Sequence, residues 1–333
     1  MTVQKLIDLA VYRRNLEHIV QTMAPARVMA VVKADAYGHG LIPISETAIS
    51  AGIELLGVLD IETGLELRRA GVISATFAWL HSPQSNFDEA IQAEIELSAS
   101  SLAELNSIAA AKGVAKVHLK FDSGLSRNGC RIEDWPELVS KAMELHRKRE
   151  IDVVAIWSHL SGTSKDEDLK SIDNFDAAHR TAVNHGFNGY RHIAASPAAF
   201  SLPESRFDLV RIGVSAFGTS PVDGVAASEF GLQSPMSVCA QVTADGEISI
   251  GFLHGYFSSL SNRTRVVIGG QPYRVLEVGS LSSRIESGDY SLGDSVEVFG
   301  GRAISAEGLC KTVGTVTDEL FTGMKADSVS YAN

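Results

Sequence analysis

The sequence predicts an α/β protein: a parallel (β/α)8 barrel of the TIM type followed by an all-β C-terminal domain. Two patterns carry this prediction. Over the first two-thirds of the chain, short β-rich runs alternate with amphipathic stretches, and about eight repeats favour a closed barrel over an open doubly wound sheet. Most of these runs are apolar throughout, as strands covered on both faces must be. After about Pro221 the texture changes to short β-branched runs separated by Gly, Asp or Ser turns.

In chain order, residues 1–8 supply a first strand expected to join the C-terminal domain. Val28 to Val32 is a buried apolar run that ends at Lys33, and Gly38 and Gly40 allow a tight turn before a helical pattern begins. Further barrel strands are expected at 55–59, 75–80, 95–98, 115–121, 153–158, 191–195 and 209–213. Between them lie amphipathic stretches such as Ile61–Ala70, apolar at 61, 65, 67 and 70, and Ser101–Ala111. A Pro/Gly/Ser/Asp-containing connector at Thr219–Ser228 places the boundary between a barrel domain, 1–222, and a β domain, 223–333. In the latter, strands are expected at 237–243, 247–252, 264–268, 272–278, 294–299 and 310–316, with turns such as Ala244-Asp245-Gly246 and Gly269-Gly270.

At 333 residues and 45% apolar content the chain can bury a large core. A formal net charge of −11 with no basic stripe disfavours nucleic acid or an anionic membrane as partner. No stretch reaches the roughly 18–20 apolar residues of a membrane span, and Lys5 and Asp8 interrupt the N-terminal apolar stretch, unlike a secretory leader. Cys130, Cys239 and Cys310 are odd in number and widely spaced, which suits reduced thiols in the cytoplasm. No Cys/His cluster has metal-ligand spacing.

In a parallel barrel, chemistry gathers at the C-terminal ends of the strands. Polar residues fall at several of those ends: Lys33, then Asp122 and Arg127, His159, Ser196 and Arg211. A lysine at the mouth of a buried strand is partly desolvated and can serve as a neutral nucleophile toward a carbonyl cofactor. Taken alone, Lys33 is more readily read as a strand-ending lysine that faces solvent.

The string Val28-Met-Ala-Val-Val-Lys33-Ala-Asp-Ala-Tyr37-Gly-His-Gly40 resembles the cofactor-lysine motif of the alanine racemase family, fold-type III pyridoxal-phosphate enzymes. The resemblance extends through Leu6-Ile7-Asp8-Leu9, Leu65–Gly71, His118–Gly124 with Arg127, Ser158-His159-Leu160, Phe207–Val214, Gly255-Tyr256 and Leu260-Ser261-Asn262. It implies pyridoxal 5'-phosphate bound covalently to Lys33, which also acts as one catalytic base. It further implies that Tyr37, Ser196 and the backbone amides of Gly213 and Val214 hold the phosphate. Asparagine usually precedes that serine in the family, and here Ala195 does. By the same resemblance Arg211 faces the pyridine nitrogen and His159 stacks on or bonds near the ring. Lys120, a candidate for carbamylation, would hold Arg127 toward the substrate carboxylate. The substrate is a small amino acid, and each site of a homodimer is completed by the partner's β domain.

The family pattern breaks near the C-terminus. Phe252, in Gly251-Phe-Leu-His254-Gly-Tyr256, stands where the family has its second catalytic base, a tyrosine. Ser280–Ser283 aligns with a family Cys-Met-Asp-Gln segment and brings Ser282 in place of the carboxylate. The chemistry expected is racemisation, with His254, Tyr256 or a water serving the second face. The alternatives are one-base chemistry, either decarboxylation or aldol cleavage of a β-hydroxy amino acid, and cofactor binding without turnover.

Overall fold

The computed structural model describes residues 2–82 and 84–333. β1 (Gln4–Asp8) opens the chain. Eight parallel strands then form the barrel: β2 (Arg27–Val31), β3 (Leu55–Val58), β4 (Ala75–Ala78), β5 (Ile95–Ala99), β6 (Ala115–Lys120), β7 (Ile151–Trp157), β8 (Tyr190–His192) and β9 (Leu209–Ile212). Each of the expected barrel runs is present. β9 pairs with β2, and Arg211 donates its backbone N–H to the Ala194 carbonyl, drawing the β8 side toward closure. Helices follow the strands, and their starts are set by local chemistry. Asp60, Asn86, Ser101 and Ser164 sit in extended or turn geometry and accept a backbone N–H from three residues ahead.

The second sheet contains β10 (Met236–Ala244), β11 (Glu247–Ile248), β12 (Arg265–Ile268), β13 (Gln271–Val278), β14 (Ser283–Ile285), β15 (Ser295–Phe299) and β16 (Ser328–Ala332). β1 inserts between β10, antiparallel, and β16, parallel. The fold is therefore a TIM-type barrel plus a largely antiparallel C-terminal β domain. The strand expected at 310–316 is not formed. Ala306–Val313 is a helix, capped by the Ser305 hydroxyl and closed by Gly314 in the left-handed region at φ +78°. Its buried residues Ala306, Leu309 and Cys310 recur with the helical period, and a second helix, Thr317–Gly323, follows it. β14 and β16 have no counterpart among the expected strands. β16 is mostly exposed, so it lacks an apolar run and is held by pairing with β1.

Candidate active site

The C-terminal mouth of the barrel opens into one cavity. It is lined by Lys33, Tyr37, Lys120, Arg127, His159, Ser196, Arg211, Gly213 and Val214, with Trp79, Trp157 and Ser215 among the remaining walls. Residues from Val31 to Pro221 meet there because each lies at or beyond the end of a strand of one nearly closed sheet.

Lys33 leaves β2 into an unusual turn. Ala34, Asp35, Ala36 and Tyr37 all lie in the left-handed region, with φ of 50–54°. That conformation costs roughly 1–2 kcal/mol per non-glycine residue, so the surroundings must impose it. His39 is fully buried, and its Nδ1 bonds the carbonyls of Ala36 (3.1 Å) and Tyr37 (2.9 Å). Lys5, on β1, donates to the Gly38 carbonyl at 2.9 Å, and Asp35 accepts the Leu41 N–H. The second domain thus braces the turn that carries Lys33 and Tyr37.

Tyr37 is buried, and desolvation raises the pKa of its phenol, which therefore stays protonated as a donor. Its hydroxyl lies over Gly213, where an added Cβ would come within 2.2 Å. Ser196 accepts the Gly213 N–H at 3.3 Å, and the Ser215 hydroxyl is buried without a partner. Hydroxyl and amide donors at one end of the cavity suit a phosphate. A primary amine beside them suits an aldehyde, so the residues present fit pyridoxal phosphate. Gly213→Ala is expected to displace the Tyr37 hydroxyl, leave the fold intact and weaken pyridoxal-phosphate binding about tenfold, read by cofactor titration.

The charge of the site opposes that of the chain. Lys33, Lys120, Arg127 and Arg211 face the cavity, and no carboxylate does among the described residues. Lys120, with its ammonium 4.2 Å from the Trp157 ring centroid, is pushed down to about 8 by burial and by the charges of Arg211 and Arg127. Burial and Arg211 push His159 down to about 3, so its ring is neutral. Arg211 Nη2 approaches His159 Nδ1 at 2.9 Å. A guanidinium only donates, so the neutral imidazole carries its hydrogen on Nε2. His159 therefore offers its remaining ring nitrogen as a donor and is poorly suited to be a base. Asp122 does not line the cavity. Its carboxylate accepts the N–H groups of Gly124 and Ser126 and shapes the loop that carries Arg127.

Phe252, His254, Tyr256 and Ser282 are not among the cavity-lining residues of the single chain. Phe252 and Leu253 donate backbone N–H groups to the carbonyls of Gly279 and Ser280, so both altered segments form one surface. Phe252 (49% exposed), Leu253 (54%) and Leu281 (53%) make that surface apolar. His254 accepts the Gly251 N–H through Nδ1 at 3.1 Å. The Tyr256 phenol is enclosed in the second domain, and burial raises its pKa. It cannot reach a substrate without opening that core. Trp79, Trp157 and Ser215 were not singled out in the sequence. Trp157 ends a strand inside an apolar run, and only the barrel's closure shows which way it faces.

Comparison with known proteins adds the following. A family model described as alanine racemase, N-terminal domain, matches residues 7–221, and one described as alanine racemase, C-terminal domain, matches 236–331. An alanine racemase of Beutenbergia cavernae is 35% identical over 274 residues, spanning 79% of this chain and 72% of that protein. The crystal structure of alanine racemase from D-cycloserine-producing Streptomyces lavendulae matches with a TM-score of 0.94 at 28% identity, covering 100% of this chain and 97% of that one. An alanine racemase from Bartonella henselae, solved with covalently bound pyridoxal phosphate, matches in fold with a TM-score of 0.85 at 22% identity, covering 99% of both chains.

Proposed function

The chain belongs to the alanine racemase family, and on that premise we propose that it is a pyridoxal-phosphate-dependent racemase acting at Cα of a small amino acid. The observation that carries this reading is the carboxylate-free cavity in which Lys33, Tyr37, Arg127, Ser196 and Arg211 converge. Pyridoxal phosphate, when bound, withdraws electrons from Cα and so acidifies the α-hydrogen. Lys33 would hold the cofactor through its amine and would move the proton on one face of Cα. Tyr37, Ser196 and the amides of Gly213 and Val214 grip the phosphate. Arg211 would face the pyridine nitrogen, and its cation would keep that nitrogen unprotonated, which would favour return of a proton to Cα. His159 supplies a donor beside the ring, and Arg127 receives the substrate carboxylate.

Lys120 is a carbamylation site on this reading. Its lowered pKa leaves roughly a tenth of the amine uncharged at pH 7, and only that form attacks carbon dioxide. The resulting anion gives Arg127 a partner where an ammonium repels it. Carbamate at Lys120, followed by carbon NMR with labelled bicarbonate, is expected to rise as pH is raised through 8 and to fall below it. An unmodified Lys120 at every pH would contradict this.

Two copies complete the site. The apolar surface formed by Phe252, Leu253 and Leu281 is suited to burial against a second chain, over the open mouth of its cavity. Phe252 and Ser282 then occupy family catalytic positions without their chemistry, and His254 is the group nearest in sequence able to move a proton. A fully active monomer in sedimentation analysis would refute the shared site. The free cysteines Cys130, Cys239 and Cys310 suit the cytoplasm as the setting. Proton NMR of the holoenzyme with L-alanine in D2O, followed by chiral analysis, tests the reaction. Loss of the α-proton signal with formation of D-alanine supports racemisation. Exchange with retention of configuration would replace it by one-base chemistry from Lys33.

A further inference from the structure

Arg211 is almost fully buried, yet none of the ion pairs among the described residues includes it. Its Nη2 presents two hydrogens to three acceptors, the carbonyls of Ser158 and Ile193 at 3.0 Å each and Nδ1 of His159 at 2.9 Å, so one hydrogen is shared. Its Nη1 meets Nδ1 of His192 at 3.1 Å. A guanidinium has donors only, so Nδ1 of His192 must present its lone pair, and the ring's hydrogen sits on Nε2. That Nε2 lies 3.1 Å from Nδ1 of His118. His118 accepts there and carries its own hydrogen on Nε2, 2.8 Å from Oε2 of Glu96. A carboxylate is acceptor-only, so the line ends with every hydrogen assigned.

This line crosses the barrel interior from β5 through β6 and β8 to β9. Both histidines are fully buried and Glu96 nearly so. Phe77 stacks on His118 with ring centroids 4.0 Å apart, and Trp157 stacks on His192 at 5.7 Å, which fixes both ring planes. Among the described residues the cation paired with Glu96 is Lys116 at 3.7 Å, whose side chain is more than half exposed. Tyr190 places its hydroxyl 3.3 Å from His118 Nε2.

We propose that Glu96 is a positioning residue for the cofactor-facing guanidinium: through His118 and His192 it supplies the buried counter-charge of Arg211 and fixes the direction of its donors. The proposal rests on the reading that Arg211 faces the pyridine ring. A buried cation whose own contacts are carbonyls and neutral imidazoles is costly unless a negative charge is relayed to it. The two imidazoles carry that polarisation without being charged themselves. Loss of the carboxylate frees His118 to turn its tautomer over. His192 would then point a hydrogen at Arg211, and the guanidinium would have to rotate away.

The test uses the holoenzyme. Nitrogen NMR of the histidine side chains, assigned by single His→Gln variants, is expected to show His118 and His192 neutral and protonated on Nε2. An imidazolium, or His192 protonated on Nδ1, would overturn the proposal even if every Glu96 variant failed to fold. Glu96→Gln is expected to shift the cofactor's visible absorption band and lower kcat about tenfold, with KM for the amino acid and the melting temperature nearly unchanged. Arg211→Lys is run in parallel. If it moves band and kcat while Glu96→Gln moves neither, the relay is wrong and the placement of Arg211 stands. If Arg211→Lys moves neither, the placement fails and the relay's role fails with it.

Discussion

Lys33→Ala is expected to abolish turnover, lowering kcat by more than about 10⁴-fold, because it removes the covalent tether and one base together. The loss should be chemical rather than structural. Lys33 sits at the cavity mouth, half-buried, with its ammonium 5.5 Å from the Tyr37 ring centroid, and it takes part in none of the bonds that brace the left-handed turn. The variant should therefore keep its far-ultraviolet spectrum and melting temperature. It should still bind the cofactor weakly through the phosphate donors and lack the absorption band of the covalently bound form. Rapid-scan absorbance and activity, measured on one preparation, check both parts. Retained turnover would remove Lys33 from the chemistry.

Phe252→Tyr is expected to raise the rate of racemisation about 10²-fold or more, the usual contribution of a positioned acid or base. Phe252 is half-exposed on the second domain, and a phenolic oxygen added to its ring edge needs no cavity. On the proposed dimer the hydroxyl enters on the face opposite Lys33. Stability should change by less than about 0.5 kcal/mol, as at other exposed positions. Chiral chromatography of initial rates in both directions measures the gain. If the native chain already racemises fast and Phe252→Tyr adds nothing, the second proton travels by another group. His254→Gln should then lower the rate by a similar factor. If neither substitution matters, the second face is served by water.

The two positions read as departures from the family pattern illustrate how far residue type alone reaches. Phe252 and Ser282 are legible in the sequence because flanking residues fix their register. Whether Tyr256 could replace the missing hydroxyl is not legible. It lies close to Phe252 in the chain, yet its ring is enclosed by the second domain while Phe252 is half-exposed. His159 shows the same limit. A histidine at a strand end reads as a group that stacks on or bonds near the ring, and only the contact with Arg211 assigns its hydrogen to Nε2 and makes it a donor. The strand expected at 310–316 is instead the end of the helix Ala306–Val313, because a short β-branched run near Gly314 fits both periods and the Ser305 cap favours the helix.

By itself the sequence determined the barrel, the second β domain and the family, together with the strand ends at which polar residues cluster. These follow from signals within a few residues: apolar period, caps, glycine turns and a contiguous lysine motif. Tertiary structure alone decided how those ends meet. The left-handed turn at Ala34–Tyr37 is set by Lys5 and His39 rather than by its own residues, whose preferences oppose it. The carboxylate-free cavity arises only when distant strand ends share one rim. The line from Glu96 to Arg211 joins four strands whose spacing in the chain has no period. Local preference is written residue by residue, whereas donors and acceptors are matched by closure of the sheet, and closure is a property of the whole barrel.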